Sequence, residues 1–89
     1  MSVVFIFAGC PPEELLELRR FGYLLVSTAD CQGVEKVDDV EAYIQDKFAL
    51  VVGSEELAKR LDVGHMSWDE ALDFLRWLRS MQYSGFEEA

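Results

Sequence analysis

Three stretches of this chain are apolar without alternation: Ser2-Val3-Val4-Phe5-Ile6-Phe7-Ala8, Tyr23-Leu24-Leu25-Val26-Ser27 and Phe48-Ala49-Leu50-Val51-Val52. A strand with one wet face alternates polar and apolar side chains. A strand covered on both faces reads as an unbroken run, and such strands belong to parallel sheets. The segments between the runs carry helical spacing. Apolar strands alternating with amphipathic helices imply right-handed crossovers. The fold class is therefore α/β, a small mainly parallel β-sheet with flanking helices in βαβαβα order, built in two or three layers.

The punctuation between these runs is local. Gly9-Cys10-Pro11-Pro12-Glu13-Glu14 ends the first strand and opens a helix, because proline loses nothing in a first turn and glutamates favour the positive end of the dipole. Leu15, Leu16 and Leu18 form its buried face, and Phe21-Gly22 closes it with glycine in the left-handed position. Val34-Glu35-Lys36-Val37 reads equally as a short strand or a helical lead-in. Asp38 is the predicted N-cap of the next helix, with Glu41 as the other half of a capping box. Val40, Tyr43, Ile44 and Lys47 follow at helical spacing. Ser54 caps a helix over Glu55 to Leu61, and Asp62 to Met66 holds a short edge strand. Ser67 caps the last helix, where Ala71, Leu72, Leu75, Leu78 and Met81 or Gln82 track one stripe, widened by Trp68, Phe74 and Trp77.

Eighty-nine residues leave room for one hydrophobic core. Residues 1–82 are read as that domain and 83–89 as a frayed tail. Seventeen acidic against eight basic side chains give a net charge of −9, and no basic cluster exceeds Arg19-Arg20 or Lys59-Arg60. Direct nucleic-acid binding through a broad basic face is excluded. Met1 to Gly9 is apolar but lacks a basic leader and is too short to span a bilayer, and no other run approaches the required length. A cytoplasmic protein without membrane contact is expected. Its two cysteines, Cys10 and Cys31, are then read as reduced thiols rather than a disulfide framework.

Three families share this string of elements. Glu17 to Ser54 resembles a receiver domain through "FGYLLVSTA", an acidic helix and "FALVVGS". That resemblance implies acids after the first strand and a phospho-accepting aspartate after the third. Those places hold Ala8-Gly9-Cys10 and Val52-Gly53-Ser54, so phosphotransfer is not expected. Gly33 to Leu61 resembles the F subunit of archaeal and vacuolar-type rotary ATPases, without its Gly-Asp opening. "VFIFAG", "FALVVGSEELAKRL" and "DVGHMSWDEALDFL" look like the first strand, the third strand with its helix, and the closing strand–helix of BRCT domains. The phosphate-binding Ser/Thr of that family is Ala8 here, although Lys59 falls near its basic position. These likenesses rest on fold-level pattern and carry no function between them.

Cys10 stands between a strand and a helix N-terminus, where the dipole and free N–H groups lower a thiol pKa. The Cys-x5-Arg loop of thiol phosphatases is absent, since position 16 is Leu16. Cys31 follows the second strand, so both cysteines belong to the carboxyl edge of the sheet, where open α/β sheets keep ligands. A thiol pair, or a metal site with Asp30 and His65, is one reading; two small core fillers is the plainer one. His65 lacks the paired spacing of zinc sites. Gly53-Ser54-Glu55-Glu56 places acids where a phosphate would sit, and no elbow motif links serine, histidine and acid. No cofactor and no metal are expected.

The acids carry more weight. From Asp30 to Asp46 there are six (Asp30, Glu35, Asp38, Asp39, Glu41, Asp46) against Lys36 alone. A solvated face and a surface that steers toward a basic partner are the two readings. Phe74 and Trp77 are the second candidate: both are buried if the last helix lies deep on the sheet, and otherwise an exposed aromatic edge invites a homodimer or a partner. The function read from the sequence is a non-enzymatic interaction module or small regulatory subunit. Its binding residues are Asp38, Asp39, Glu41, Asp46, Phe74 and Trp77, and its partner is a protein with a basic surface. An inhibitor of a nucleic-acid-handling machine, encoded by a virus or mobile element, has this size and charge. The alternative is a small thiol enzyme or redox carrier with Cys10 as its catalytic group.

Overall fold

A computed structural model describes the backbone of residues 2–88 and the side chains of residues 2–81. Its centre is β1 (Ser2–Phe7), whose residues Val4 to Phe7 have no accessible surface. On one side β1 pairs with β2 (Leu24–Ser27), with Val4 opposite Leu24. On the other it pairs with β4 (Lys47–Val52), with Val3 opposite Phe48. The two-residue β3 (Glu35–Lys36) lies outside β2 and β5 (Gly64–Met66) outside β4. Every pairing is parallel and the order is β3-β2-β1-β4-β5. The three apolar runs are thus the three inner strands, as their lack of alternation predicts.

Because side chains alternate across a sheet, β1 feeds two cores. Phe5 and Phe7 join Leu15, Leu18, Leu25, Val52, Ala71 and Leu75 on one face. Val4 and Ile6 join Val26, Val40, Ala49, Val51, Leu57 and Ala58 on the other. The architecture is three-layered. Its single fully buried polar side chain among the described residues is Ser27, whose Oγ donates to the Gly9 carbonyl at 2.7 Å and accepts from the Ala29 N–H at 3.0 Å.

The first helix is a 3₁₀ helix over Glu13–Phe21, long for its kind. Its sequence explains it. Leu15, Leu18 and Phe21 recur every three residues, and in a helix of three residues per turn they eclipse into one ridge on the core. The same period stacks Glu14 over Glu17. Gly22 closes the helix at φ 93°, its N–H donating to the Arg19 carbonyl.

On the opposite face, α1 is a single turn, Val40–Tyr43. Here two local expectations are corrected. The N-cap is Asp39, accepting from the Ala42 N–H at 3.1 Å, rather than Asp38 with a Glu41 capping box. Lys47 opens β4 opposite Ser2 instead of extending the helix. The physical cause is shared: Val40 must reach the core and Lys47 must enter the ladder, which leaves room for one turn. Val34-Glu35-Lys36-Val37, ambiguous in sequence, supplies β3. The helix α2 (Glu55–Leu61) is capped by Ser54 Oγ accepting from the Leu57 N–H at 3.0 Å.

The last helix, α3 (Trp68–Glu88), opens on a reciprocal capping box: Ser67 Oγ accepts from the Glu70 N–H, and Glu70 accepts from the Ser67 N–H at 2.8 Å. Those bonds hold the Glu70 carboxyl below its ordinary pKa. Ala71 and Leu75 are fully buried, with Leu72, Phe74 and Leu78 packed beside them. The frayed tail expected over 83–89 lies outside the residues whose side chains are described. No described helix is long and apolar enough to cross a membrane.

Leu75 is the point where α3 meets the inner face. Leu75→Ala is expected to cost ~2–5 kcal/mol, a large share of what so small a domain possesses. Urea unfolding of the variant beside the parent measures it, and a loss below ~1 kcal/mol contradicts the placement.

Candidate functional site

In an open parallel sheet, ligands bind beyond the carboxyl ends of strands where the winding order reverses. Here the chain runs outward from β1 to β2 and β3, then returns to β4 on the other side of β1. The crevice therefore belongs between the loop after β1 (Ala8-Gly9-Cys10) and the loop after β4 (Gly53-Ser54). Trp68 occupies it. Its indole stacks on Phe7 with centroids 5.8 Å apart and planes 9° from parallel. Gly53, at φ 95°, lies so close that a Cβ there would stand 2.7 Å from the ring, and a Cβ on Gly9 would touch it at 4.0 Å. Two glycines make room for one tryptophan. Sequence reading placed Trp68 only on a widened apolar stripe; the signal it passed over was a glycine within two residues of the end of both β1 and β4.

Beside this filled crevice the structure overturns the reading of two reduced thiols. Cys10 and Cys31 are joined in a disulfide, their Cα atoms 5.5 Å apart. In this state Cys10 carries no free thiol; the pair stands in the oxidised form. The sequence did place both cysteines after adjacent parallel strands, at one edge of the sheet. What the sequence did not show is that the strand order brings their Cα atoms within 5.5 Å. The metal reading is not assembled either. His65 is exposed on β5, across β4 and β1 from Cys31, and no group of metal-ligating side chains gathers among the described residues. The BRCT-type phosphate pattern fails likewise, since Ala8 offers no hydroxyl and Lys59 sits 3.9 Å from Glu55.

The acidic candidates share a face. The chain from β3 to β4 crosses β2 and β1 on the α1–α2 side, and Asp38, Asp39, Glu41 and Asp46 are all exposed along that crossing. Asp38, 90% exposed, has Lys36 at 3.6 Å. Asp46 is paired with Lys47 at 2.9 Å, which lowers its carboxyl pKa, and that ammonium also lies 4.3 Å from the Tyr43 ring centroid. Asp39 caps α1, and Glu41 is exposed to solvent beside it.

The aromatic candidates lie on the opposite face and separate from one another. Phe74 packs against Phe5 and Tyr23, with centroids 5.9 Å away in both cases. Trp77 stacks on the outer side of Phe74 and is 54% exposed, as is Met81. Phe48, on the same side of the sheet by the alternation that buries Val52, is 57% exposed.

A further cluster was not anticipated. Arg79 of α3 donates two hydrogen bonds to Glu17, each at 2.8 Å, and a third to Glu14 at 2.9 Å. The three-residue period of the 3₁₀ helix stacks these carboxylates for one guanidinium, a planar fork suited to such a pair. In sequence, Glu13-Glu14 read as a helix-dipole effect alone. The network ties the two helices of the inner face together.

No family model, curated protein or solved structure matches this chain.

The hydrogen bonds from Arg79 hold the Glu17 carboxyl below its ordinary 4.5. A depressed carboxylate stabilises the fold above its unfolded pKa, and that contribution is lost as pH falls through the lowered folded value. Glu17→Gln is therefore expected to be less stable than the parent at neutral pH, with the gap closing in acid. Thermal unfolding from about pH 7 to pH 3 reads this; a gap independent of pH shows that the pair does not respond to ionisation.

Proposed function

We propose that this protein is a non-enzymatic interaction module whose α1-side acids dock on a basic protein surface. One observation carries the reading: Asp38, Asp39, Glu41 and Asp46 are exposed on one face, along the single crossing from β3 to β4. An excess of carboxylates on a single face produces a directional field, which speeds encounter with a cationic surface and orients it. A protein surface that holds nucleic-acid phosphates is cationic in this way. Occupying such a surface inhibits a nucleic-acid-handling machine, the role a small acidic protein of viral or mobile-element origin takes. The filled crevice at the carboxyl edge supports the non-enzymatic side of the reading.

Trp77 provides a second surface on the other face, and with Met81 it supports association of two copies through α3. The acids stay clear of that contact, so a dimer presents two acidic faces outward. Tryptophan in a desolvated centre is among the commonest interface anchors.

The triple variant Asp38→Lys, Asp39→Lys, Glu41→Lys tests the acidic face. Its affinity for a lysine- and arginine-rich peptide should fall about tenfold or more at low salt. A charge-matched control, Glu13→Lys, Asp69→Lys, Asp73→Lys, should fall far less. Parent binding should also weaken as salt shortens the screening length toward ~8 Å. Equal losses in both triple variants would reduce the effect to net charge.

Trp77 is tested separately, by sedimentation beside thermal unfolding of Trp77→Ala. Reduced self-association with an intact melting transition supports the second surface. A lost transition makes Trp77 a core residue, and a parent that stays monomeric at high concentration removes the dimer.

A further inference from the structure

The Cys10–Cys31 disulfide is placed to do more than staple the fold. Its two residues are unequal: Cys10 is exposed, whereas Cys31 is partly buried and packed against the inner core. A shallow depression of about 400 Å³, lined by Pro11, Glu13, Leu16, Gln32 and Gly33, borders it through the residues next to each cysteine. Both sulfurs also lie near acceptors that free thiols would use. Cys10 Sγ is 3.8 Å from the Asp30 carbonyl, and Cys31 Sγ is 3.5 Å from both the Ala29 carbonyl and Ser27 Oγ.

The bond also anchors the start of the acidic crossing. Cys31 begins the tight turn whose bridge to Val34 leads directly into β3 and then to Asp38 and Asp39. Other anchors share that stretch: β3 pairs with Val26 and Ser27, Thr28 N–H donates to the Phe7 carbonyl, and Asp39 caps α1. Val37 N–H donates to the Ser27 carbonyl, Arg19 donates to the Gly33 carbonyl at 2.8 Å, and Val34 is buried. β3 itself is only two residues long. The disulfide is the cross-link that ties this loop to the end of β1.

We propose that the Cys10–Cys31 disulfide is a reversible clasp on the acidic face, opened by a dithiol reductant that enters at the neighbouring depression. A thiolate of the reductant attacks Sγ of Cys10, the more exposed residue of the pair. The Cys10–Cys31 bond breaks, and Cys31 leaves as a thiolate that takes up a proton. The second thiol of the reductant then attacks its own sulfur in the mixed disulfide and releases Cys10. The reductant ends as a disulfide, two electrons pass to the protein, and both cysteines are thiols. Opening loosens the 28–34 loop that leads into β3, and with it the position at which the chain delivers Asp38 and Asp39 to the acidic face. The inference rests on the proposed role of that face.

The test uses the full chain, oxidised and after dithiothreitol reduction, in two measurements on the same samples. Reduction should raise amide hydrogen exchange over residues 28–34 by about tenfold or more relative to β1 and β4. It should also weaken binding of the lysine- and arginine-rich peptide several-fold. Cys10→Ser with Cys31→Ser should behave as the reduced protein and ignore the reductant. In Cys31→Ser, the lone Cys10 should form a mixed disulfide with an aromatic disulfide reagent faster than Cys31 does in Cys10→Ser. Two free thiols in protein isolated under oxidising conditions overturn the clasp. So does reduction that leaves either exchange or peptide binding unchanged while reversal of Asp38, Asp39 and Glu41 still abolishes binding. If that reversal has no effect on binding, the acidic-face reading fails instead, and the exchange measurement alone decides whether the clasp opens.

Discussion

Burial of β1 on both faces is the constraint on which the rest of this structure depends. A strand whose residues Val4 to Phe7 are all removed from water needs a neighbour on each edge and a layer on each face. Parallel neighbours demand crossovers, the crossovers supply the helices, and the helices bring their own apolar sides. The two cores are small and each depends on alternate residues of the same strand. Damage to β1 is therefore felt in both layers at once, whereas damage to α1 or α2 is confined to one.

How much of this was legible depended on the range of the signal. The inner strands, the Gly22 closure, the Ser54 and Ser67 caps and the edge strand before α3 are written in adjacent residues, and they fold where the sequence puts them. The errors arise where a distant demand overrides a local preference. Asp38 and Glu41 have capping-box spacing, yet the ladder claims Lys47 and the core claims Val40, so Asp39 takes the cap. The apolar spacing of three in the first helix was visible as Leu15 and Leu18, but the partner of the glutamates it stacks, Arg79, comes from the far end of the chain. The disulfide likewise joins residues that only the strand order brings together.

The candidate surfaces show the same division. The sequence located the acids and the aromatic helix, and topology then placed them on opposite sides of the sheet. Phe74 and Trp77, three residues apart, part company because one reaches Phe5 and Tyr23 while the other stacks on its back. Periodicity assigned both to a flank of the helix; only packing distinguishes the side chain that fills a gap from the one left facing water.

Trp68 has one more consequence. In many α/β proteins the crevice at the reversal of strand order is completed by a cofactor or substrate, and folding is then linked by mass action to the supply of that molecule. Here the chain is its own ligand at that position. The indole is delivered by α3 with the rest of the polypeptide, at an effective concentration no diffusible molecule matches. A molecule entering the crevice would have to displace the indole first, and the two glycines beneath the ring are the conformational cost of seating it there.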